Sequence, residues 1–264
     1  MKKVRVDQYI YEHFNVGSVD KIGRYIMAGQ VLNQNAPVYK PSEMIDPERA
    51  DIRFKHMKQF VSRGGHKLAY AIEHFDFTVK DQVMIDVGSS TGGFTDCALQ
   101  HGAKHVYAVD VGTNQLDYRL RTDENVTVME QTNFKDTPPD DFIDIPSVIT
   151  IDVSFTSIIP IINHIHALFQ HEVTVIGLVK PQFESYKEEI EDGGIITSLN
   201  THINVLERVI EHLNTLGFSV LNVAQSPIKG HKGNVEYLLH AKYTSGNLAT
   251  IDGETIANTV KNHS

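Results

Sequence analysis

Between Asp86 and Phe94 the chain reads Asp-Val-Gly-Ser-Ser-Thr-Gly-Gly-Phe, directly after the apolar Val83-Met84-Ile85 and before a helical pattern that closes at Gly102. An apolar strand, a glycine-rich turn and a helix start, in that order, commit the segment to an α/β unit with a ligand loop at the carboxyl end of the strand. The glycine spacing selects the ligand. A dinucleotide loop needs a second glycine two residues after the first, so that the backbone can approach a pyrophosphate closely. Here that position is Ser90, and the glycines are Gly88, Gly92 and Gly93. Asp86 stands on the strand side of the turn, where a carboxylate repels a pyrophosphate and suits an ammonium group. The loop therefore reads as one for S-adenosylmethionine, with Asp86, Gly88, Ser89, Thr91, Gly92, Gly93 and Phe94 as candidate cofactor residues.

The pattern around the loop predicts strands at 83–87, 105–110, 126–130, 147–152, 173–179, 218–225 and 236–242. Helices are predicted at 64–75, 93–101, 113–121, 157–170 and 199–216. Strands alternating with helices give an open, doubly wound parallel sheet. The last two strands have no helix between them and predict an antiparallel edge hairpin around Lys229–Asn234, an ending more typical of methyltransferase sheets than of dinucleotide folds. Ahead of this body, 4–14 and 18–28 carry helical spacing, with Ser18 as a cap and Gly29 as a stop. Short extended pieces follow around Val31-Leu32, Val38-Tyr39 and Met44-Ile45, and then a basic connector from Arg53 to Lys58. So small a piece reads as an attached binding module. The charged stretch Gln182–Thr197, ending in Gly193-Gly194, reads as a mobile loop, and the polar tail from Thr244 as a fraying end or a weak last helix.

Charge and composition narrow the partners. The chain carries a net charge of −9, yet residues 1–60 hold ten Lys/Arg against seven Asp/Glu, so the remainder carries −12. An acidic body with a basic amino-terminal module is the asymmetry expected when RNA docking is delegated to a small domain. Lys2, Lys3, Arg5, Lys21, Arg24, Lys55, Lys58 and Arg63 are the phosphate-contact candidates. No apolar run approaches the ~18 residues of a membrane span. The Met1-Lys2-Lys3 start lacks a signal core, and a single cysteine, Cys97, fits a reducing cytoplasm. Neither a membrane nor DNA is expected as a partner. His56, His66, His164, His166 and His231 share no ligand spacing, so no metal is expected.

Ligands of open α/β sheets bind outside the carboxyl ends of the strands. Asp86, Asp110, Asp152 and Lys180 each follow an apolar run at such an end. Asp110 lies 24 residues after Asp86, where a second-strand carboxylate accepts hydrogen bonds from ribose hydroxyls; Val111 beside it and Asn133 beyond the third strand complete the cofactor candidates. A lysine leaving the apolar Val173–Val179 needs a carboxylate partner, and Asp152 on the neighbouring strand end is available. Glu236 and Lys67 would make a second acid–base pair if they converge on the first.

Five strings carry a resemblance: Ser62-Arg63-Gly64-Gly65-His66-Lys67-Leu68, the glycine loop, Asp152-Val153-Ser154-Phe155, Val179-Lys180-Pro181-Gln182-Phe183-Glu184 and Gly233-Asn234-Val235-Glu236-Tyr237. In this order, over roughly residues 4–243, the chain resembles the TlyA family, in which an S4 RNA-binding domain precedes an FtsJ-like ribosomal RNA 2′-O-methyltransferase domain; some members were first called haemolysins. The resemblance implies a Rossmann-like class I methyltransferase sheet behind a small α+β S4 domain, with 1–60 as S4 domain and connector, 61–244 as methyltransferase domain and 245–264 as a polar tail. It implies Lys67, Asp152, Lys180 and Glu236 as a catalytic tetrad, S-adenosylmethionine as cofactor, and a cytidine of ribosomal RNA, or of a ribosomal subunit, as substrate. In the mechanism so implied, Asp152 and Glu236 hold Lys180 against the 2′-hydroxyl while Lys67 orients the nucleotide. Two departures stand out: Ser18-Val19 where the family usually has Ser-Arg, and Lys58-Gln59-Phe60-Val61 where it has an Arg-x-Trp-Val connector.

Three other functions compete. A membrane-lytic protein needs a spanning segment or a strongly amphipathic basic helix, and the sequence has neither. An S4-bearing RNA-binding protein without activity would not need an intact glycine loop and tetrad. An NAD-linked oxidoreductase is disfavoured by Ser90.

Overall fold

The computed structural model describes residues 3–14, 16–55, 59–191, 193–244 and 249–261. The chain divides into two compact units, residues 1–59 and 60–264. In the first, β1 (Val4–Arg5), α1 (Val6–His13), α2 (Val19–Met27), β2 (Val31–Asn33), β3 (Ala36–Val38), β4 (Met44–Ile45) and β5 (Ile52–Phe54) follow in order. The Ser18 hydroxyl accepts a hydrogen bond from the Lys21 N–H and caps α2. Helical spacing then turns Ile22 and Ile26 inward to meet Val6 and Ile10 of α1 and the strand residues Val31, Val38, Ile45 and Ile52. Gln34 and Asn35, both left-handed at φ 51° and 66°, make the tight turn between β2 and β3.

Two expectations are corrected in this unit. The first helix begins at Val6, because Val4 and Arg5 pair with Ile45 and Met44. The supposed connector begins instead as β5, whose Arg53 and Phe54 pair with Leu32 and Val31 of β2. A strand of three residues is too short to show alternation in the sequence.

The second unit contains α3 (Gly64–His74), β6 (Val83–Val87), α4 (Gly93–Gln100), β7 (His105–Val109), α5 (Tyr118–Arg121), β8 (Val126–Met129), β9 (Val148–Ile151), α6 (Ile159–Leu168), β10 (Val173–Val179), α7 (Pro181–Glu184), α8 (Leu199–Thr215), β11 (Phe218–Gln225), β12 (Tyr237–Tyr243) and α9 (Gly253–Lys261). The seven strands lie in the order β11-β12-β10-β9-β6-β7-β8. β12 runs antiparallel to both its neighbours, so the reversed strand of the terminal hairpin is inserted inside the sheet and β11 takes the edge. Alternation sorts the apolar side chains onto two faces. Ile85, Val87, Ile149, Ile151 and Val175 face a core with residues of α6, α8 and α9. Met84, Val148, Ile176 and Leu238 face the other, with residues of α3 and α4. The polar tail contains α9, which buries Ile256 and Val260 in the first of these cores.

The helix expected over 113–121 shrinks to α5. Asn114 is left-handed at φ 55°, and the Glu130 carboxylate at the end of β8 accepts the backbone N–H groups of Asn114, Gln115 and Leu116, holding them in a loop. No described helix is long and apolar enough to cross a membrane.

Gly65 tests the packing of α3. A Cβ there would lie 2.3 Å from Cγ of the buried Phe60. Gly65→Ala removes a helix glycine, which alone would stabilise by ~0.5–1 kcal/mol. We expect the clash to reverse that sign, to a net loss of about 1–3 kcal/mol in urea unfolding; a stabilised variant would show that Phe60 yields freely.

Candidate active site

The crevice follows from strand order. The chain passes from β6 outward to β7 and β8, then returns to β9 on the other side of β6, so order reverses between β6 and β9. Ligands of open α/β sheets bind at such a reversal. The two strand ends are tied by the Asp152 N–H donating to the Val87 carbonyl at 3.0 Å. Gly88 comes next, left-handed at φ 83°, and a Cβ on it would lie 2.6 Å from the Asp152 carbonyl oxygen. Sterics and backbone conformation both demand glycine there. Ser90, also left-handed at φ 48°, donates its N–H to Asp110 Oδ2 at 2.8 Å. The Gly112 N–H donates to Asp110 Oδ1 at 2.7 Å. The carboxylate is thus aimed by two backbone donors and keeps lone pairs for hydroxyl groups.

Asp86 is placed by alternation on the α4 face of the sheet. Its Oδ2 accepts the Thr95 N–H and the Thr95 hydroxyl, at 3.0 and 2.7 Å. Its Oδ1 accepts the hydroxyl of Thr150, its register partner on β9, at 3.0 Å. Burial pushes this carboxyl up to about 6, against the pull of the threonine hydrogen bonds. These bonds fasten β6 to α4 and β9 beneath the loop.

Four charges meet beside it. Lys67 comes from α3, Asp152 from the end of β9, Lys180 from the end of β10 and Glu236 from the start of β12. Lys180 Nζ lies 2.6 Å from Asp152 Oδ1. Lys67 Nζ lies 2.8 Å from Glu236 Oε2 and 3.4 Å from Asp152 Oδ2. Lys67, Lys180 and Glu236 are all buried, and isolated charges there would cost several kcal/mol each. The quartet is formally neutral, and Asp152 bridges both lysines. The two acid–base pairs converge, with one correction. Among the described residues Glu236 is ion-paired with Lys67 and not with Lys180, whose second partner is the Ser154 hydroxyl at 3.2 Å. Gly230 makes room for Glu236, because a Cβ there would lie 2.1 Å from its Oε1.

Two adjoining cavities open on this floor. The first, about 430 Å³, is lined by the quartet and by Asp86, Ser89, Thr91, Gly93, Phe94 and Arg63. The second, about 550 Å³, is lined by Asp110, Val111, Asn133, Phe134 and Lys135. Gly88, Ser90, Asp152, Ser154 and Phe155 border both. The family model of FtsJ-like methyltransferases matches residues 60–243, the segment that builds all of this. The chain belongs to the FtsJ-like methyltransferase family.

Within that family it belongs with the TlyA proteins. It is 45% identical over 240 residues to YqxC of Bacillus subtilis, named as a candidate rRNA methyltransferase, covering 90% of this chain and 85% of that one. It is 33% identical over 239 residues to a Mycobacterium tuberculosis protein named 16S/23S rRNA (cytidine-2′-O)-methyltransferase TlyA, covering 90% and 89%. Among solved structures, a protein of Streptococcus thermophilus described as a candidate hemolysin superposes with a TM-score of 0.75 at 41% identity, over 99% of this chain and 96% of that one.

In this FtsJ-like unit the glycine loop divides its labour. Gly92, left-handed at φ 95°, is packed against Leu116 and Leu120 and lines neither cavity. Arg63 is exposed at the first cavity. Of the other basic candidates, Lys3, Arg24 and Lys55 are exposed, whereas the Arg5 guanidinium is engaged by Asp7 at 2.7 Å. Lys21 is half-buried, with its ammonium over the Tyr25 ring. Lys2 and Lys58 lie outside the described residues. Among the described residues no cluster of His, Cys, Asp or Glu could hold a metal ion.

Sequence reasoning missed Ser154, Phe155 and Glu184. Phe155 is 91% exposed, left-handed at φ 63°, and touches Phe183. Glu184 accepts the Ser157 hydroxyl at 2.6 Å and the Ile158 N–H at 2.8 Å, fastening the residues just beyond the string 152–155 to the string 179–184. Both strings and the Asp152–Lys180 pairing between them were legible, but the contacts of Ser154, Phe155 and Glu184 were not.

Asp86 yields a pH prediction. Its folded pKa is about 6, above the ordinary 3.8, so ionised Asp86 opposes folding. That opposition is fully present above pH 6 and is relieved as pH falls toward ~4. Asp86→Asn should therefore gain stability relative to the parent most above pH 6, by up to about 3 kcal/mol, with the difference shrinking on acidification. Denaturant curves from pH 4 to 7.5 measure it, and parallel pH profiles would contradict a buried, ionisable Asp86.

Proposed function

We propose that the chain transfers a methyl group from S-adenosylmethionine to the 2′-oxygen of a cytidine ribose in ribosomal RNA. The observation that carries this reading is the neutral quartet of Lys67, Asp152, Lys180 and Glu236, which lines the first cavity and reaches, through Asp152, the adjoining cavity bordered by Asp110. The name of the Mycobacterium tuberculosis relative supports both the substrate and the atom modified.

The donor set fits the cofactor. Asp110 would take the ribose hydroxyls, Val111 and Asn133 would flank the base, and Gly88 with Ser89, Thr91, Gly93 and Phe94 would border the amino-acid end; Gly92 supports the loop from behind. Asp86 contributes by fastening that loop, with its carboxylate already occupied by Thr95 and Thr150. Bound S-adenosylmethionine supplies an electrophilic methyl group on a sulfonium.

The chain's own residues prepare the acceptor. A ribose hydroxyl is a weak nucleophile at neutral pH and needs orientation and charge stabilisation. Lys180, ion-paired to Asp152, would donate a hydrogen bond to the 2′-oxygen as its bond to the methyl carbon forms and the carbon–sulfur bond breaks, the hydroxyl proton being released to solvent. Lys67, clamped by Glu236 and Asp152, holds the quartet rigid and orients the nucleotide. Burial strengthens both effects, because the charges act in a medium of low dielectric.

Residues 1–59, as an S4-like domain, would supply RNA affinity, with Lys3, Arg24 and Lys55 as exposed phosphate contacts and Lys2 and Lys58 beside them in sequence. Arg63 would meet the backbone of the target nucleotide at the cavity. A ribosomal substrate places the reaction in the cytoplasm.

Lys180→Ala should lower methyl transfer by at least ~10²-fold while leaving the cofactor dissociation constant nearly unchanged in calorimetry. Asp110→Ala should weaken cofactor binding first. A Lys180→Ala enzyme that still turns over at the parental rate would remove the quartet from the chemistry. In cells lacking the protein, mapping of ribosomal 2′-O-methylation should show a missing cytidine mark; an unchanged map would exclude ribosomal RNA as the substrate.

A further inference from the structure

Resting on the reading above, we infer that Ser154 is a positioning residue for Lys180: its hydroxyl fixes the rotation of the ammonium group about the Cε–Nζ bond, so that the remaining N–H faces the acceptor oxygen. A lysine ammonium carries three N–H donors and no acceptor. One donor goes to Asp152 Oδ1 at 2.6 Å, and a second to Ser154 Oγ at 3.2 Å. Held by Asp152 alone, the group can still librate about the Cε–Nζ bond and exchange which N–H donates. A second acceptor narrows that motion and so sharpens the direction of the third donor.

The hydroxyl is well placed for this because the backbone that carries it is held on both sides. Upstream, the Asp152 N–H is bonded to the Val87 carbonyl. Downstream, Glu184 holds Ser157 and Ile158. Between them Phe155 keeps a left-handed conformation at φ 63°, which costs a non-glycine residue about 1–2 kcal/mol. A strained residue persists where its surroundings determine it and where the resulting geometry is used. Ser154 also borders both cavities, as Asp152 does. Because an ammonium only donates, the Ser154 oxygen is the acceptor and its own proton points away from Lys180.

The test is a series at position 154 assayed under saturating RNA and cofactor. Ser154→Ala should lower kcat on the order of tenfold, the loss of about one hydrogen bond to a charged group, without a change in the cofactor dissociation constant or in KM for RNA. Ser154→Thr should restore kcat, and Ser154→Val, which has the shape of threonine without the hydroxyl, should resemble the alanine variant. A merely structural serine would move stability or KM and would not separate Thr from Val. Parental kcat in Ser154→Ala, or equal rates for Thr and Val, overturns the inference. Lys180→Ala run alongside separates the two failures. If it is inactive while Ser154→Ala is normal, only the role of Ser154 falls; if it is active, the role of Lys180 falls and that of Ser154 with it.

Discussion

One carboxylate, Asp152, lies between two buried ammonium groups, and the rest of the second unit is arranged to make that tolerable. Removing Lys67 and Lys180 from water costs several kcal/mol apiece unless each finds an anion. Asp152 serves both lysines and Glu236 completes the balance, so the cluster is neutral while each cation keeps direct contact with a negative oxygen. Four separate elements must therefore end at one point: α3, β9, β10 and β12. Inserting β12 between β10 and β11 brings Glu236 within reach of a helix on the sheet's face. Gly230 and its missing side chain leave space for that carboxylate.

The cofactor side obeys a different constraint, the close approach of backbones. Gly88 is left-handed and presses on the carbonyl of Asp152, so the glycine loop and the charge quartet share an atom-scale contact. Asp86 beneath them is held by both α4 and β9. Burial pushes its carboxyl up to about 6 even though the hydrogen bonds from Thr95 and Thr150 favour the charged form. Asp86 and Asp110 both line a cavity, but Asp86 is buried and accepts from Thr95 and Thr150, whereas Asp110 is aimed by the backbone N–H groups of Ser90 and Gly112. Glu130 extends the same economy of loop holding. Lost hydration pushes its carboxyl up, but the N–H groups of Leu116, Asn114 and Gln115 and the Arg121 guanidinium bring it down to about 2, so it stays ionised and keeps loop 112–117 fixed behind Asp110.

Much of this was legible because buried strands announce themselves as apolar runs and strand ends as the polar residue that follows. Asp86, Asp110, Asp152 and Lys180 were all found that way, and the ligand rule for open sheets placed them together. Pairing within the quartet was partly legible: residue types gave Lys180 with Asp152 and Lys67 with Glu236. The expectation that Glu236 also grips Lys180 failed, because side-chain reach depends on the inserted strand, which no local pattern reports. Residues 113–117 looked helical because their stop signal is remote: a carboxylate 14 residues beyond Leu116 captures the N–H groups of Asn114, Gln115 and Leu116. Ser154 gave no signal of its own, since a serine after a strand end is ordinarily a turn residue. Its significance appears only once Lys180 is seen within hydrogen-bond distance.

Charge distribution bears on how such a site would meet RNA. The body after residue 60 carries −12, and residues 1–60 carry +3. A polyanion would be repelled by the first and drawn to the second, so in the proposed reaction affinity and chemistry would fall on different parts of the chain. The quartet adds nothing to that attraction because it is neutral as a whole. In the proposed reaction its lysines would act at hydrogen-bond range, where the direction of a donor matters more than net charge. A site of this kind would lose discrimination if it also gripped phosphates strongly, since the ammonium groups would then be turned to the wrong oxygens. Lys67 and Lys180 are buried and paired with carboxylates, whereas Arg63 is exposed at the same cavity, an arrangement that would divide the two tasks between different cations.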